Sequence, residues 1–206
     1  MFFMKKFLCV LMAVCLLALC ISACSRSDNN GEADVTDTVV TDANGDPVEG
    51  QDAYDEEDDF VTDFTDLHTF SADTRDGGHF GPEDFAKYDV TIINCWATFC
   101  GPCIGEMPDI AEYQKSLPEN VQLITYCLDG SDCFDDMKKI LDDAGYTGIT
   151  LVNGDGDLQT LGSQIMYVPT TLFVDSKGNV CGQPIVGAAE NVAEAYNAAV
   201  DSIINQ

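Results

Sequence analysis

Two cysteines separated by two residues, Cys100 and Cys103, constrain the fold of this chain more than any other feature. The segment before them is apolar and β-branched and predicts a buried strand, whereas the segment after them predicts a helix. A C-x-x-C sequence at such a junction is typical of redox-active dithiols. The first sulfur lies where free N–H groups and the helix dipole favour an anion. We therefore expect Cys100 to attack a substrate disulfide and Cys103 to resolve the mixed disulfide.

Gly101 and Pro102 lie between the two cysteines, where they keep the pair compact and let another chain approach. A C-x-x-C pair can also form a structural disulfide or one half of a zinc site. A zinc site needs a second pair of ligands at suitable spacing, which the two histidines and the other cysteines do not offer. We predict no metal and no cofactor other than a redox-active disulfide between Cys100 and Cys103.

Residues 1–23 have the layout of a secretory signal peptide, with two lysines, an apolar run and small residues at the end. The four residues that end at Cys24 resemble the lipobox of bacterial lipoproteins, in which that cysteine is lipidated and becomes the first residue of the mature chain. The alternative is an uncleaved transmembrane anchor, but the apolar run is shorter than the roughly 20 residues that a bilayer span needs. We expect an extracytoplasmic protein that is anchored to the cell membrane as a lipoprotein.

The charge of the chain is strongly acidic and excludes some partners. All 36 acidic residues follow Cys24 but only seven of the nine basic ones do, so the mature chain carries 7 − 36 = −29. Such a charge repels nucleic acid and resists adsorption to anionic lipid headgroups. Residues 24–66 hold 15 of the acidic residues and little apolar surface, so we expect a disordered tether there.

After the tether, residues 67–206 predict a single α/β domain. The expected elements are strands at 90–95, 121–127 and 149–152, helices at 101–117 and 131–144, a hairpin at 170–186 and a closing helix at 189–204. Ser131 or Asp132 is the expected N-cap of the helix that ends at residue 144. Alternation of strands and helices predicts a central mixed β-sheet flanked by helices, with an N-terminal β-hairpin extension around residues 75–78.

The sequence resembles the thioredoxin superfamily, and more narrowly the TlpA/ResA-type extracytoplasmic thiol–disulfide oxidoreductases. The specific matches are residues 96–103, Glu106 together with Pro108, and residues 168–171. The similarity covers roughly residues 67–206 and implies a thioredoxin-like fold for the domain.

The resemblance assigns roles to several residues around the cysteine pair. It implies that Trp96 packs beside the active site and that Pro169 is a cis-proline lying against the two sulfurs. It also implies that Val168 and Thr170 take part in substrate docking, with the backbone of Val168 pairing with the substrate as an added strand.

Asn94 and Glu106 distinguish this chain from ordinary thioredoxins. Ordinary thioredoxins carry a buried aspartate where this chain has Asn94, whereas TlpA/ResA-like proteins carry a glutamate at the position of Glu106. On a helix, Glu106 is an i,i+3 neighbour of Cys103. It is placed to take the proton from Cys103 during resolution. The alternative is a first-turn glutamate that only interacts with the helix dipole.

The remaining cysteines of the domain have other expected roles. Cys95 continues a buried strand and is predicted to be a core residue, and Cys181 is similar. Cys127 and Cys133 flank a short loop. They form either a second disulfide or two free thiols, because spacing alone does not give the geometry that a disulfide requires.

The function predicted from these features is reduction of disulfides in other exported proteins. The resemblance implies re-reduction by a membrane thiol reductant of the CcdA/DsbD type. It also implies substrates such as apocytochrome c or methionine sulfoxide reductase. Two alternatives are a peroxiredoxin-like antioxidant that reduces peroxide and a non-catalytic binding lipoprotein. An intact C-G-P-C sequence argues against the last of these.

Overall fold

The computed structural model of the protein describes residues 63–205. The predicted signal peptide (1–23), the predicted lipidation site Cys24 and most of the predicted acidic tether lie outside these residues. Within the described part of the chain, no helix is both long enough and apolar enough to cross a membrane.

The described residues form seven strands and five helices. In chain order these are β1 (Ala72–Asp73), β2 (His79–Phe80), α1 (Pro82–Phe85), β3 (Val90–Trp96), α2 (Gly101–Gln114), β4 (Val121–Cys127), α3 (Phe134–Ala144), β5 (Thr150–Leu151), α4 (Gly156–Gln164), β6 (Thr170–Asp175), β7 (Val180–Val186) and α5 (Val192–Ile204). β1 and β2 form the predicted antiparallel hairpin.

A five-stranded sheet with the order β5-β4-β3-β6-β7 forms the centre of the domain. β3 pairs in parallel with β4, and β4 pairs in parallel with β5. β6 runs antiparallel to both β3 and β7. The predicted mixed sheet is therefore confirmed.

The central strand β3 is buried along its whole length. Because successive side chains of a strand point to opposite faces, Ile92 and Trp96 pack into the layer that contains α2, α3 and α5. Ile93 and Cys95 pack into the opposite layer with Phe85 of α1 and two leucines of α4. Burial on both faces fixes the end of β3, where the loop to the cysteine pair begins.

Three helix boundaries differ from the prediction. α5 begins at Val192 rather than at residue 189. α2 ends at Gln114 rather than at residue 117. α3 begins at Phe134, three residues after the predicted start at residue 131, and its N-cap is Cys133 rather than Ser131 or Asp132. The N–H groups of Asp132 and Cys133 both donate to the carbonyl of Asp129, so the chain completes a turn before the helix starts.

The segment before β1 is hydrogen-bonded to the start of α4. Asp157 Oδ2 accepts the N–H groups of His68 and Thr69 at 3.0 and 2.6 Å, and the Asp157 N–H donates to the Thr69 carbonyl at 2.9 Å. Gly156 has a φ of 53°, and a Cβ there would lie 2.2 Å from the Thr69 carbonyl oxygen. The close approach and the left-handed backbone both require glycine at this position.

We expect Gly156→Ala to lower the free energy of unfolding by more than Gly145→Ala does. Both glycines have positive φ, 53° and 73°, a conformation that costs a residue with a Cβ about 1–2 kcal/mol. Only at Gly156 would the new Cβ collide with backbone, because nothing lies within 4 Å of a Cβ at Gly145. Urea denaturation of the two variants measures the difference. Equal losses would contradict the close approach.

Candidate active site

The two cysteines of the C-x-x-C sequence lie at the N-terminus of α2. They form a disulfide with an S–S distance of 2.00 Å and a Cα–Cα distance of 5.3 Å. Cys100 is the N-cap residue, and the N–H of Cys103 donates to Cys100 Sγ at 3.1 Å. Cys100 is 5 % exposed and Cys103 is 0 % exposed. The more accessible sulfur is therefore the one at the end of the helix dipole that favours an anion.

Gly101 and Pro102 form the first turn of α2 between the two cysteines. Proline is well tolerated there, because the first N–H groups of a helix have no acceptor within the helix. Both residues are largely accessible, and a Cβ at Gly101 would meet no atom within 4 Å. The surface beside the disulfide is therefore open to another chain.

The peptide bond between Val168 and Pro169 is cis, as the resemblance implied. The Val168 carbonyl oxygen lies 3.5 Å from Cys100 Sγ. Thr170 begins β6 opposite Cys95 of β3, which holds this segment against the cysteine loop.

Thr170, to which the resemblance also assigned a docking role, is buried beside the cis-proline. Its side chain is buried, and its hydroxyl donates to the Tyr167 carbonyl at 2.8 Å. It also lies between two strands, opposite Cys95 on one side and Val186 on the other. Thr170 therefore supports the cis-proline segment from within the sheet, and its docking role stays a prediction.

Glu106 and Asn94 meet in a buried hydrogen-bond network beneath the disulfide. Asn94 Nδ2 donates to Glu106 Oε1 at 3.1 Å and also lies 3.1 Å from Thr171 Oγ1 and 3.3 Å from the Tyr196 hydroxyl. The Ala189 N–H donates to Glu106 Oε2 at 3.2 Å. The sequence indicated the pair of Asn94 and Glu106, whereas the contributions of α5 and of the loop before it come only from the fold.

Burial raises the pKa of Glu106 above its usual value. The hydrogen bonds from Asn94 and Ala189 oppose this shift, and the nearby charge of Asp109 adds to it. A carboxyl group whose pKa is raised in this way holds and releases a proton closer to neutral pH. Glu106 therefore has the chemistry that a proton acceptor for a thiol needs.

Trp96 is fully buried in the same cluster as both active-site sulfurs, as the resemblance implied. Its Nε1 and the Oδ1 of Asn94 have no hydrogen-bond partner among the described residues. Both side chains lie on the same face of β3, two residues apart. The layer between β3 and α2 therefore contains one unused donor and one unused acceptor.

Asp129 fixes the loop that leads to the cysteine pair, and sequence reasoning missed it. Its carboxylate accepts the N–H of Thr98 at 3.0 Å, the Thr98 hydroxyl, and the thiol of Cys127 at 3.2 Å. Burial alone would raise the pKa of Asp129, but the hydrogen bonds from Thr98 and Cys127 lower it. Its position just after β4 was the available signal, because the carboxyl ends of parallel strands meet at one edge of a sheet.

The other four cysteines of the domain are free thiols. Cys95 is 0 % exposed, which confirms its predicted place in the core. Burial raises the pKa of Cys95 to about 12 and that of half-buried Cys181 to about 11. The possible disulfide between Cys127 and Cys133 is not formed. The Cys127 thiol is buried and bound to Asp129, whereas Cys133 lies partly exposed at the start of α3.

Four exposed apolar residues are neighbours of the active-site residues in the sequence. We call Phe99, Ile104, Met166 and Tyr167 the apolar rim; they are 80 %, 39 %, 72 % and 61 % exposed. Phe99 and Ile104 directly flank the cysteine pair, and the other two precede the cis peptide. Apolar residues on a surface cannot be told from core residues by sequence pattern alone, so the rim was not predicted.

A family model described as Redoxin matches residues 56–199. The chain belongs to the Redoxin family. It is 29 % identical over 90 residues to the thiol-disulfide oxidoreductase ResA of Oceanobacillus iheyensis, a match that covers 43 % of this chain and 45 % of ResA. It is 27 % identical over 110 residues to the thioredoxin-like protein YneN of Bacillus subtilis, covering 53 % of this chain and 63 % of YneN. The chain thus matches only about half the length of these curated relatives.

A solved structure similar to this Redoxin domain is that of StoA from Bacillus subtilis. The TM-score is 0.54 at 20 % identity, and the match covers 65 % of this chain and 98 % of StoA. The predicted thioredoxin-like fold is confirmed, as is the similarity to ResA-type proteins.

We expect Glu106→Gln to change the pH dependence of stability with a defined sign. A raised pKa means that the folded protein binds the Glu106 proton more tightly than the unfolded chain does. Ionisation then lowers the free energy of unfolding as pH rises above the ordinary carboxyl range. The stability of Glu106→Gln relative to wild type should therefore increase between about pH 4 and pH 8.

Denaturant unfolding across that pH range measures this difference. Glu112→Gln is the matched control, since Glu112 lies on the exposed side of the same helix, and it should give no comparable trend. A stability difference for Glu106→Gln that stays constant with pH, or falls as pH rises, would contradict the burial effect.

Proposed function

We propose that this Redoxin-family protein is a thiol–disulfide oxidoreductase that reduces disulfide bonds in other exported proteins. The observation that carries the proposal is Cys100 Sγ at the start of α2, with the N–H of Cys103 directed at it from 3.1 Å. That N–H and the helix dipole favour the thiolate, which is the nucleophile in disulfide exchange. The similarity to ResA, whose name states this reaction, supports the same class.

The proposed reaction has two exchange steps. The Cys100 thiolate attacks one sulfur of the substrate disulfide, so that a mixed disulfide forms and one substrate thiolate leaves and takes a proton. Cys103 then gives its proton to Glu106 and attacks Cys100 Sγ, so that the second substrate sulfur leaves as a thiolate and takes a proton from solvent. The protein is left with the Cys100–Cys103 disulfide, the oxidised state described above. Two electrons pass from the protein dithiol to the substrate.

The substrate segment is proposed to bind along the cis-proline. The backbone of Val168, next to Cys100 Sγ, pairs with an extended substrate chain as an added strand. The apolar rim contacts the side chains that flank the substrate disulfide. Residues 63–205 contain 23 acidic and 6 basic residues, a net charge of 6 − 23 = −17. This charge favours neutral or basic substrates.

Anchoring and recycling complete the proposal. The lipobox-like sequence supports attachment to the membrane through lipidated Cys24, with the acidic segment as a tether. The Cys100–Cys103 disulfide is re-reduced by a membrane thiol reductant of the CcdA/DsbD type. Apocytochrome c and methionine sulfoxide reductase are the substrates that the resemblance suggests.

We expect Cys100→Ser to abolish the acceleration that the protein gives to the reduction of insulin disulfides by dithiothreitol, and to leave only the uncatalysed rate. Serine keeps the fold but has no thiolate to start the exchange. The control is Cys133→Ser, which removes a partly exposed thiol outside the active site and should retain activity. Activity that survives in Cys100→Ser would refute the proposal.

We expect Cys103→Ser to accumulate mixed disulfides with exported proteins, because the resolving thiol is missing. Mass spectrometry of the trapped species, released by reductant, identifies the substrates. If the wild-type protein consumes peroxide rapidly while no protein is trapped, the peroxiredoxin-like alternative is correct instead.

A further inference from the structure

Two buried hydroxyl groups lie beside the Asn94 amide. The Tyr196 hydroxyl and Thr171 Oγ1 are 2.9 Å apart, and Asn94 Nδ2 is 3.3 Å and 3.1 Å from them. We propose that Tyr196, together with Thr171, is a positioning residue that holds the Asn94 amide so that its nitrogen faces Glu106. This inference rests on the proposed function only for the role of Glu106 as proton acceptor.

The orientation of the Asn94 amide is defined because its nitrogen has hydrogen-bond partners and its oxygen has none. Asn94 Nδ2 carries two hydrogens; one donates to Glu106 Oε1, and the other is shared by the two hydroxyl oxygens. Asn94 Oδ1 has no partner among the described residues. Nothing on the oxygen side therefore fixes the amide, and its orientation depends on the groups that accept from the nitrogen.

The orientation of the Asn94 amide matters because its nitrogen and its oxygen have opposite effects on the pKa of Glu106. A donated N–H stabilises the ionised carboxylate and lowers its pKa. A reversed amide would place Oδ1 against the carboxylate, where only a protonated Glu106 can make the bond. The hydroxyls thus help to set the protonation equilibrium of Glu106 without touching it.

The position of the Tyr196 hydroxyl is fixed by packing on α5. Tyr196 is 0 % exposed, and its ring makes edge contacts with Tyr113 of α2 and Phe173 of β6 at centroid distances of 5.6 and 6.4 Å. The closing helix therefore delivers one hydroxyl to the centre of the active-site layer. No motif in the sequence marks this tyrosine.

The surroundings of Glu106 leave few other groups to control its titration. α2 contributes the charge of Asp109, which raises the pKa of Glu106. β3 contributes the neutral amide of Asn94, and the loop before α5 contributes the Ala189 N–H. α5 contributes Tyr196, whose own pKa is raised by burial, so that it stays neutral throughout the relevant pH range.

The direct test is the titration of the Glu106 carboxyl carbon by NMR in the reduced full-length protein. Glu106→Gln identifies the resonance by its loss. We expect Tyr196→Phe to raise the apparent pKa of Glu106 by about half a unit to one unit, the size of one neutral hydrogen bond. Thr171→Val, which removes the other hydroxyl at nearly constant volume, should shift the pKa in the same direction.

Tyr113→Phe is the matched control. It removes a hydroxyl from the same contact between α2 and α5, where Tyr113 donates to Asn197 at 2.9 Å, but it leaves the Asn94 network intact. We expect no shift for Tyr113→Phe. In an Asn94→Ala background, Tyr196→Phe should add no further shift, because the proposed effect passes through the amide.

Three results would overturn the inference: an unchanged Glu106 pKa in both Tyr196→Phe and Thr171→Val, an equal shift in Tyr113→Phe, or a shift that persists without Asn94. The titration needs no substrate, so failure of the proposed function would appear separately, as a wild-type protein that reduces no disulfide. Where activity is present, the acidic limb of its pH profile should move to higher pH in Tyr196→Phe.

Discussion

The hydrogen bond from the Cys103 N–H to Cys100 Sγ is the interaction on which the site depends. It exists because α2 begins at Gly101, directly after a loop that leaves the buried end of β3. Asp129 holds that loop through Thr98, and the cis peptide before Pro169 closes the other side. A sulfur at this place meets free N–H groups and the positive end of a helix dipole, and both favour the thiolate.

A second constraint is the buried carboxyl group of Glu106. Burying a carboxyl group is costly unless hydrogen bonds compensate, and the compensation here comes from Asn94 of β3 and from the loop before α5. The hydroxyls of Thr171 and Tyr196 extend the network to β6 and α5. Segments that are distant in the sequence thus meet in one network around a titratable group that lies three residues after Cys103, the proposed resolving cysteine.

The sequence predicted the features that local patterns encode: the sheet, the helix after the cysteine pair, and, through family resemblance, Pro169 and Glu106. It did not predict contacts that depend on topology. Thr98 and Asp129 are 31 residues apart, and Asn94 and Tyr196 are 102 apart, so no periodicity links them. The burial of Thr170 was not predictable for a similar reason, because it depends on which strands lie on either side of this residue.

The central claim is that the Cys100–Cys103 pair works as a reductant. The most direct test is the reduction potential of this pair, measured by equilibration of the protein with dithiothreitol redox buffers and counting of free thiols by mass. A potential near that of thioredoxin, about −270 mV, is the result that the account predicts. A potential near that of DsbA, about −120 mV, would make the protein an oxidant and contradict it.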